Sequence, residues 1–216
     1  MSDAEGGAHI VSAVRAAAGP VPVPPPPAVD AATGARNAAV LLLCDPAAAG
    51  VPLLFIRRSL SVPHHPGQIA FPGGGAEEDD GGLVGTALRE ASEEVGVDAS
   101  DVEVLGVLPP SAAIARRIGT GEAAGVPARR VSGVRVDPVV ALARRPLTPR
   151  ADGWEVAEAF WVPLTALLDA PVTTRTIPGV PGIEVHFIEI DGRIIWGATA
   201  AMVVELLGRM RTALAA

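Results

Sequence analysis

The chain has no lysine and no tyrosine; its 17 basic residues are all arginine, and aromatic residues make up 3% of its 216 positions. With its abundance of Ala, Gly and Pro, this composition reads as the codon bias of a GC-rich genome, so the arginine excess carries little functional weight. A net charge of −7 argues against non-specific binding to nucleic acid or anionic lipid, which needs clustered positive surface. No apolar run approaches the roughly 20 residues that span a bilayer, and AAVLLLC at 38–44 is only strand-sized. The first residues, MSDAEGG, are acidic where a secretory leader is basic, which predicts a cytoplasmic protein. With one cysteine there is no intramolecular disulfide, and Cys44, closing an apolar run, is expected to be a buried structural thiol.

What the chain does have is apolar residues, 49% of the total, with a mean hydropathy of +0.38, enough for a sizeable core. The prolines of GPVPVPPPPAVD at 19–30 fix φ and favour an extended segment. We therefore divide the chain into an N-terminal proline-rich arm, 1–35, and a folded domain, 36–216. Within the arm, HIVSAVRAAA has Ile10, Val11 and Val14 on one side of a short helix. NAAVLLLCD and VPLLFIRRS read as adjacent strands, VEVLGVLPP and VRVDPVVALA as further strands, and EVAEAFWVPLTALLDA as strand, turn and short helix. IEVHFIEIDGRIIWG predicts a hairpin turning at Asp191-Gly192, and ATAAMVVELLGRMRTALA a closing helix. AIARRIGTGEAAGVPARR at 113–130 reads as an inserted loop. Strands mixed with helices, without regular βαβ alternation, predict an α+β fold with a mixed sheet between helices.

The helix predicted over about 83–96 contains REASEEVG, with three glutamates in five positions. At 100° per residue, Glu90, Glu93 and Glu94 share an arc narrower than about 120°. Val84, Ala87, Leu88, Ala91 and Val95 occupy the neighbouring arc. Asp79 or Asp80 is the expected N-cap, and Gly96 the expected end. Like charges at these spacings destabilise a helix by a few tenths of a kcal/mol each, roughly, so something should offset the repulsion. A solvated face is one outlet. A hard divalent cation is the other, because Mg²⁺ prefers oxygen ligands and keeps part of its water shell for a phosphate. The upstream glycines do not make a dinucleotide or P-loop site. The helix opens with Glu77, Glu78, Asp79 and Asp80, which repel bare phosphate, and no Gly-Lys-Ser/Thr follows. EEDDGG also lacks the alternating ligands and final glutamate of an EF-hand.

The run Gly74-x5-Asp80-x8-Arg89-Glu90-Ala91-x-Glu93-Glu94-x-Gly96-Val97 resembles the Nudix box, G-x5-E-x7-R-E-U-x-E-E-x-G-U. It departs by one residue of spacing and by Asp for the first Glu, departures that recur in the subfamily similar to coenzyme A pyrophosphatases. That subfamily also carries LL-x-x-R-S-x3-R-x3-G-Q-x-x-F-P-G-G. Here LLFIRRSLSVPHHPGQIAFPGG, 53–74, keeps Arg58, Ser59, Gly67, Gln68 and Phe71 to Gly74 in register with one extra residue, and has Pro63 in place of the second arginine. The resemblance runs from about Arg36 to Gly208.

The resemblance implies a Nudix fold, a mixed sheet sandwiched between helices, and water addition to the diphosphate of a nucleoside diphosphate derivative, with two or three Mg²⁺ or Mn²⁺ ions. It implies Glu90, Glu93, Glu94 and the Gly74 carbonyl as metal ligands, Arg89 as the residue orienting the glutamates, and Asp80 as its support. The general base is left among Glu94, Glu155 and Glu158. Arg58, His65 and Gln68 are the expected substrate contacts, with His64 beside them. His186 is expected to be structural, and Trp196 to lie in the core or stack on adenine. The expected substrate is coenzyme A or acyl-coenzyme A. The alternatives are ADP-ribose, NADH, nucleotide sugars, nucleoside triphosphates, or a Nudix module that senses a nucleotide without cleaving it. The expected partner is this small molecule, with no nucleic acid or membrane; the oligomeric state, a homodimer included, stays open.

Overall fold

The computed structural model describes residues 3–22, 37–113, 134–176 and 184–216. The proline-rich run beyond residue 22 and most of the inserted loop lie outside the described residues. In chain order the elements are α1 (Asp3–Ala17), β1 (Asn37–Cys44), β2 (Pro52–Arg58), β3 (Ile69–Ala70), β4 (Gly73–Gly75), α2 (Leu83–Val95), β5 (Val102–Val107), β6 (Ser111–Ala113), β7 (Val134–Ala143), β8 (Val156–Pro163), α3 (Leu164–Asp169), β9 (Val172–Thr176), β10 (Glu184–Ile190), β11 (Arg193–Trp196) and α4 (Gly197–Leu214).

Alternation along β1 builds the sandwich. Ala39, Leu41 and Leu43 face one side and join Leu83, Ala87, Ala91 and Val95 of α2. Ala38, Leu42 and Cys44 face the other and join Ile10, Val14 and Ala17 of α1 with Val203, Leu206 and Met210 of α4. Both faces are apolar because helices cover both, and β1 runs parallel to β7 over its whole length at the centre of the sheet. The result is the expected α+β layering, a mixed sheet between helices. Within the N-terminal arm, α1 packs into this core through Ile10, Ala13, Val14 and Ala17, and Arg15 grips Glu103 through both carboxylate oxygens. Ile10 and Val14 face inward there because they sit four residues apart on one helix face.

The hairpin forms as expected, with Asp191 at φ 50 and Gly192 at φ 71, the double left-handed turn that suits strand twist. It belongs to a separate three-stranded sheet, β11-β10-β9, whose β9 was not foreseen. VTTRT is exposed throughout and offers no apolar alternation. Among the described residues no helix is long and apolar enough to cross a membrane.

Cys44 is wholly buried at the end of β1, and desolvation pushes its thiol up to about 12. Thiol reagents at pH 8 are expected to leave the native protein unlabelled and to label one cysteine in denaturant. Labelling at the same rate in both would mean that β1 opens readily.

Candidate active site

The site begins where β1 and β2 part. They pair only at Cys44 and Leu53, and β4 enters the gap instead, with Ala38, Ala39 and Val40 opposite Gly75, Gly74 and Gly73. This insertion needs glycine. A Cβ at Gly73 would stand 2.4 Å from the Ala39 carbonyl oxygen, and one at Gly74 would stand 2.4 Å from Oε1 of Glu90. Bare backbone therefore slides between a strand and an acidic helix, and the Gly73 N–H donates to Oε2 of Glu94 at 2.9 Å.

Arg89 organises the other flank. Its guanidinium donates to Asp80 Oδ1 at 2.7 Å, to the Gly75 carbonyl at 3.0 Å and to Glu93 Oε2 at 3.2 Å, and pairs with Glu90 Oε1 at 3.0 Å. Asp80 is itself fixed by the Thr86 hydroxyl and the Glu77 N–H, both at 2.8 Å. The Arg89 bond, then the other donors, hold its carboxyl down at about 2. This corrects the expected helix cap: α2 is N-capped by Gly82 with no side-chain bond, because the Asp80 carboxylate is taken by Arg89, Thr86 and the turn at Glu77. At the far end Gly96, at φ 67, closes the helix as expected, with Val97 N–H reaching back to Ala91. Lysine offers a point charge where four acceptors need a planar fork. Arg89→Lys is thus expected to keep the fold and to lower kcat by about 10- to 100-fold; unchanged kcat in a steady-state assay would remove Arg89 from the site.

The three glutamates do not share one environment. Their side chains are 16%, 60% and 6% exposed at Glu90, Glu93 and Glu94. The sheet edge wraps the flank of α2 on which Glu94 stands beside Ala91 and Val95, while Glu93 faces outward. Burial, reinforced by the charge of Glu90 and opposed by the Gly73 N–H, pushes the Glu94 carboxyl up to about 7. Burial also raises Glu90, against the pull of Arg89.

Across from these acids stands Arg58, at the end of β2, with its guanidinium 3.9 Å from Glu94 and 4.0 Å from Glu155. Glu155 comes from the loop ahead of β8. That loop is tied to α2 by Arg150 N–H to the Val95 carbonyl and Asp152 N–H to the Glu94 carbonyl, and to β2 by Ser59 N–H to the Glu155 carbonyl at 2.7 Å. The Asp152 carboxylate takes the N–H groups of Trp154, Glu155 and Val156. Burial opposes it, but these backbone donors hold the Asp152 carboxyl below its ordinary value. Asp152 was missed from the sequence, although Asp-Gly before a strand is a turn signal.

The other candidate base is separated from this cluster. Glu158 shares the sheet face of Phe160 and Val162, away from α2, and is clamped by Arg193 at 2.6 Å and Arg57 at 3.1 Å, Arg193 first in holding its carboxyl down. The separation follows from strand alternation, which already sets Arg57 and Arg58 on opposite faces; the extra residue that β8 carries between Val156, opposite Arg58, and Glu158, opposite Arg57, sets those two on opposite faces as well. His64 and His65 are exposed on the loop after β2, where the His64 carbonyl accepts from Arg58 Nε at 3.3 Å. Gln68 is half-buried and its carbonyl accepts from the Arg58 N–H. His186 faces Thr174 across the small sheet at 3.2 Å, a structural contact. Trp196 is 42% exposed and stacks on Phe187, outside the core.

Among the described residues no three acidic, histidine or cysteine side chains are drawn as tightly as a formed metal cluster. The donor chemistry nevertheless fits a hard cation. Among the described residues, Asp80, Glu90, Glu93, Glu94 and Glu155 form ion pairs with Arg58 and Arg89 alone, so there five acids less two guanidiniums leave three negative charges when all ionise. Burial disfavours ionisation of Glu90 and Glu94 in that set, which a divalent ion on carboxylate oxygens would relieve.

Comparison with known proteins places these features in a lineage. The model of the NUDIX domain matches residues 34–181. The chain is 38% identical over 192 residues to an uncharacterized Nudix hydrolase, NudL, of Pectobacterium atrosepticum, covering 84% of this chain and 86% of the relative. It is 34% identical over 186 residues to the same-named protein of Photorhabdus laumondii, covering 84% and 89%. A solved Nudix hydrolase from M. smegmatis, RenU, is similar at 27% identity over 62% of this chain and 73% of its own, with a TM-score of 0.43. A domain match over most of the residues, joined to this identity along nearly the whole of its relatives, means that the chain belongs to the Nudix family.

Proposed function

We propose that this Nudix hydrolase cleaves the diphosphate of coenzyme A or acyl-coenzyme A with Mg²⁺ or Mn²⁺, releasing 3′,5′-ADP and 4′-phosphopantetheine or its acyl form. The enzyme is a pyrophosphate-bond hydrolase by family; the substrate is our reading. The observation that carries it is the placement of Arg58. The arginine of the coenzyme A-type stretch stands between Glu94 and Glu155, where a diphosphate would meet the acids.

Glu90, Glu94 and the Gly74 carbonyl would hold the cation, with Glu93 at the outer edge. When bound, such an ion neutralises diphosphate charge and lowers the pKa of a coordinated water. Glu155, half-exposed and with Arg58 at 4.0 Å as its ion-pair partner among the described residues, would take the proton as water adds to phosphorus and the bridging oxygen leaves with the other phosphate. Arg58 would bind phosphate oxygens through its fork, at the expense of its two long ion pairs. Asp80 and Arg89 keep Glu90 and Glu93 in place.

The test is a panel at fixed magnesium: coenzyme A, acetyl-coenzyme A, ADP-ribose, NADH, a nucleotide sugar and a nucleoside triphosphate, with products identified by mass. The reading expects kcat/KM for a coenzyme A thioester or thiol to exceed the others by at least about tenfold. Preference for ADP-ribose or NADH would overturn the substrate. Tight binding with no turnover of any diphosphate would make the chain a sensor.

A further inference from the structure

The loop 150–156 carries a residue with no place in the family motif or in the reading above. Asp152 is exposed, yet its carboxylate accepts three consecutive backbone N–H groups: Oδ1 from Trp154 at 3.1 Å, Glu155 at 3.1 Å and Val156 at 2.8 Å, with Oδ2 also 3.2 Å from the Glu155 N–H. Its own N–H is bonded to the Glu94 carbonyl at 3.1 Å. One residue thus links the last turn of the acidic helix to the backbone that bears Glu155. A further backbone bond, Ser59 N–H to the Glu155 carbonyl at 2.7 Å, pins the same peptide to the strand that ends in Arg58. A surface loop of this length, otherwise free to swing, is fixed at both ends at the point where its glutamate faces the cluster. The negative charge of Glu155 is felt at Glu90 and Glu94, so its placement has electrostatic consequences there.

We infer that Asp152 is a positioning residue for Glu155: by collecting the N–H groups of residues 154–156 against the end of the acidic helix, it holds the Glu155 carboxylate beside Arg58 and Glu94 for the diphosphate reaction. The inference rests on the functional reading above in assigning Glu155 its part. Asparagine keeps one acceptor oxygen on the same stem and can retain the turn. Alanine keeps neither, and releases three donors to water with the core untouched, since Asp152 lies outside both apolar clusters.

The experiment is a double-mutant cycle with Asp152→Ala and Glu155→Gln, alone and combined, and with Asp152→Asn as the conservative variant. Hydrolysis of coenzyme A and of ADP-ribose is measured with magnesium, and Mn²⁺ affinity by titration without substrate. Asp152→Ala is expected to lower kcat by about 10-fold with KM changed less than about 2-fold, to lower Mn²⁺ affinity in the same direction as Glu155→Gln, and to add nothing once Glu155 is glutamine. Asp152→Asn is expected to recover most of the loss. If Asp152→Ala costs as much in the Glu155→Gln background as in the wild type, or costs nothing while Glu155→Gln is damaging, or Glu155→Gln itself is silent, the inference is overturned. Absence of wild-type turnover on both substrates would count against the functional reading alone, and the Mn²⁺ cycle would then decide the positioning. Should Asp152→Ala fold poorly, Asp152→Ser, with one shorter acceptor, replaces it in the same cycle.

Discussion

Glu94→Gln is expected to lower kcat for diphosphate hydrolysis by about 10³-fold, the scale of losing one preorganised charge at a reacting phosphate. The reasoning starts from burial. Glu94 is the most enclosed of the helix glutamates, fixed by the Gly73 N–H, and its carboxyl titrates near 7 where an ordinary one titrates at 4.5. Such a group is out of place as an anion unless something positive arrives. The sign of the pH effect follows. A carboxyl raised on folding contributes stability that is fully present below about 4.5 and is lost as pH rises through about 7, because the folded state then gives up a proton it held more tightly. In chelator the wild type is therefore expected to lose Tm between pH 5 and pH 8, the glutamine variant to lose less, and Mg²⁺ or Mn²⁺ at pH 8 to restore Tm in the wild type only. Glutamine can still accept from Gly73, so the fold should survive. Retention of more than a tenth of wild-type kcat, or identical pH–Tm curves, would show that Glu94 is an incidental buried acid.

The second large effect is on stability, at a position far less conspicuous. A Cβ at Gly85 would stand 1.7 Å from the carbonyl oxygen of Asp80 and 2.8 Å from its carbonyl carbon. Those are backbone atoms of a short turn, Glu78–Asp80, pinned by Glu77 N–H to Asp80 and by Arg89. The turn cannot step aside without releasing Arg89. Gly85→Ala is expected to destabilise by about 3 kcal/mol, a Tm loss of roughly 10 °C for a chain of this size, and to depress kcat as well. Gly208→Ala is the control: it sits inside α4, exposed, with nothing within 4 Å of a Cβ, and should gain a few tenths to about 1 kcal/mol from helix propensity. Calorimetry on both variants settles the matter; equal and opposite small shifts would mean that the Asp80 turn is soft.

The family resemblance was legible in REASEEVG and its upstream glycines, and the structure puts those residues together. The helix wheel placed three carboxylates on one arc, yet it could not say that one of them would be buried and another exposed. That grading depends on where the sheet edge ends, and β4, three glycines long, carries no periodic signal at all. Glu155 and Glu158 looked equivalent from the sequence, three residues apart in one strand-bound stretch. Strand alternation sends Glu158 to the far face, where Arg57 and Arg193 hold it, while a bulge in β8 keeps Val156 on the side of α2. The first helix looked detached because a proline run follows it, whereas its burial against α4 is a long-range contact that local composition does not encode.

By itself the sequence determined what is local: the helix that carries the acids, the glycines that let backbone approach it, the left-handed turn at Asp191-Gly192, and the chemistry of hard oxygen donors. Those follow from dihedral preference, side-chain period and ligand type, all properties of neighbouring residues. Only the tertiary structure decided which carboxylates meet, which arginine each one answers to, and that burial raises Glu94 while Arg89 lowers Asp80. Each of these depends on distance and solvent access between segments remote in the chain, as between Arg58, Glu94 and Glu155.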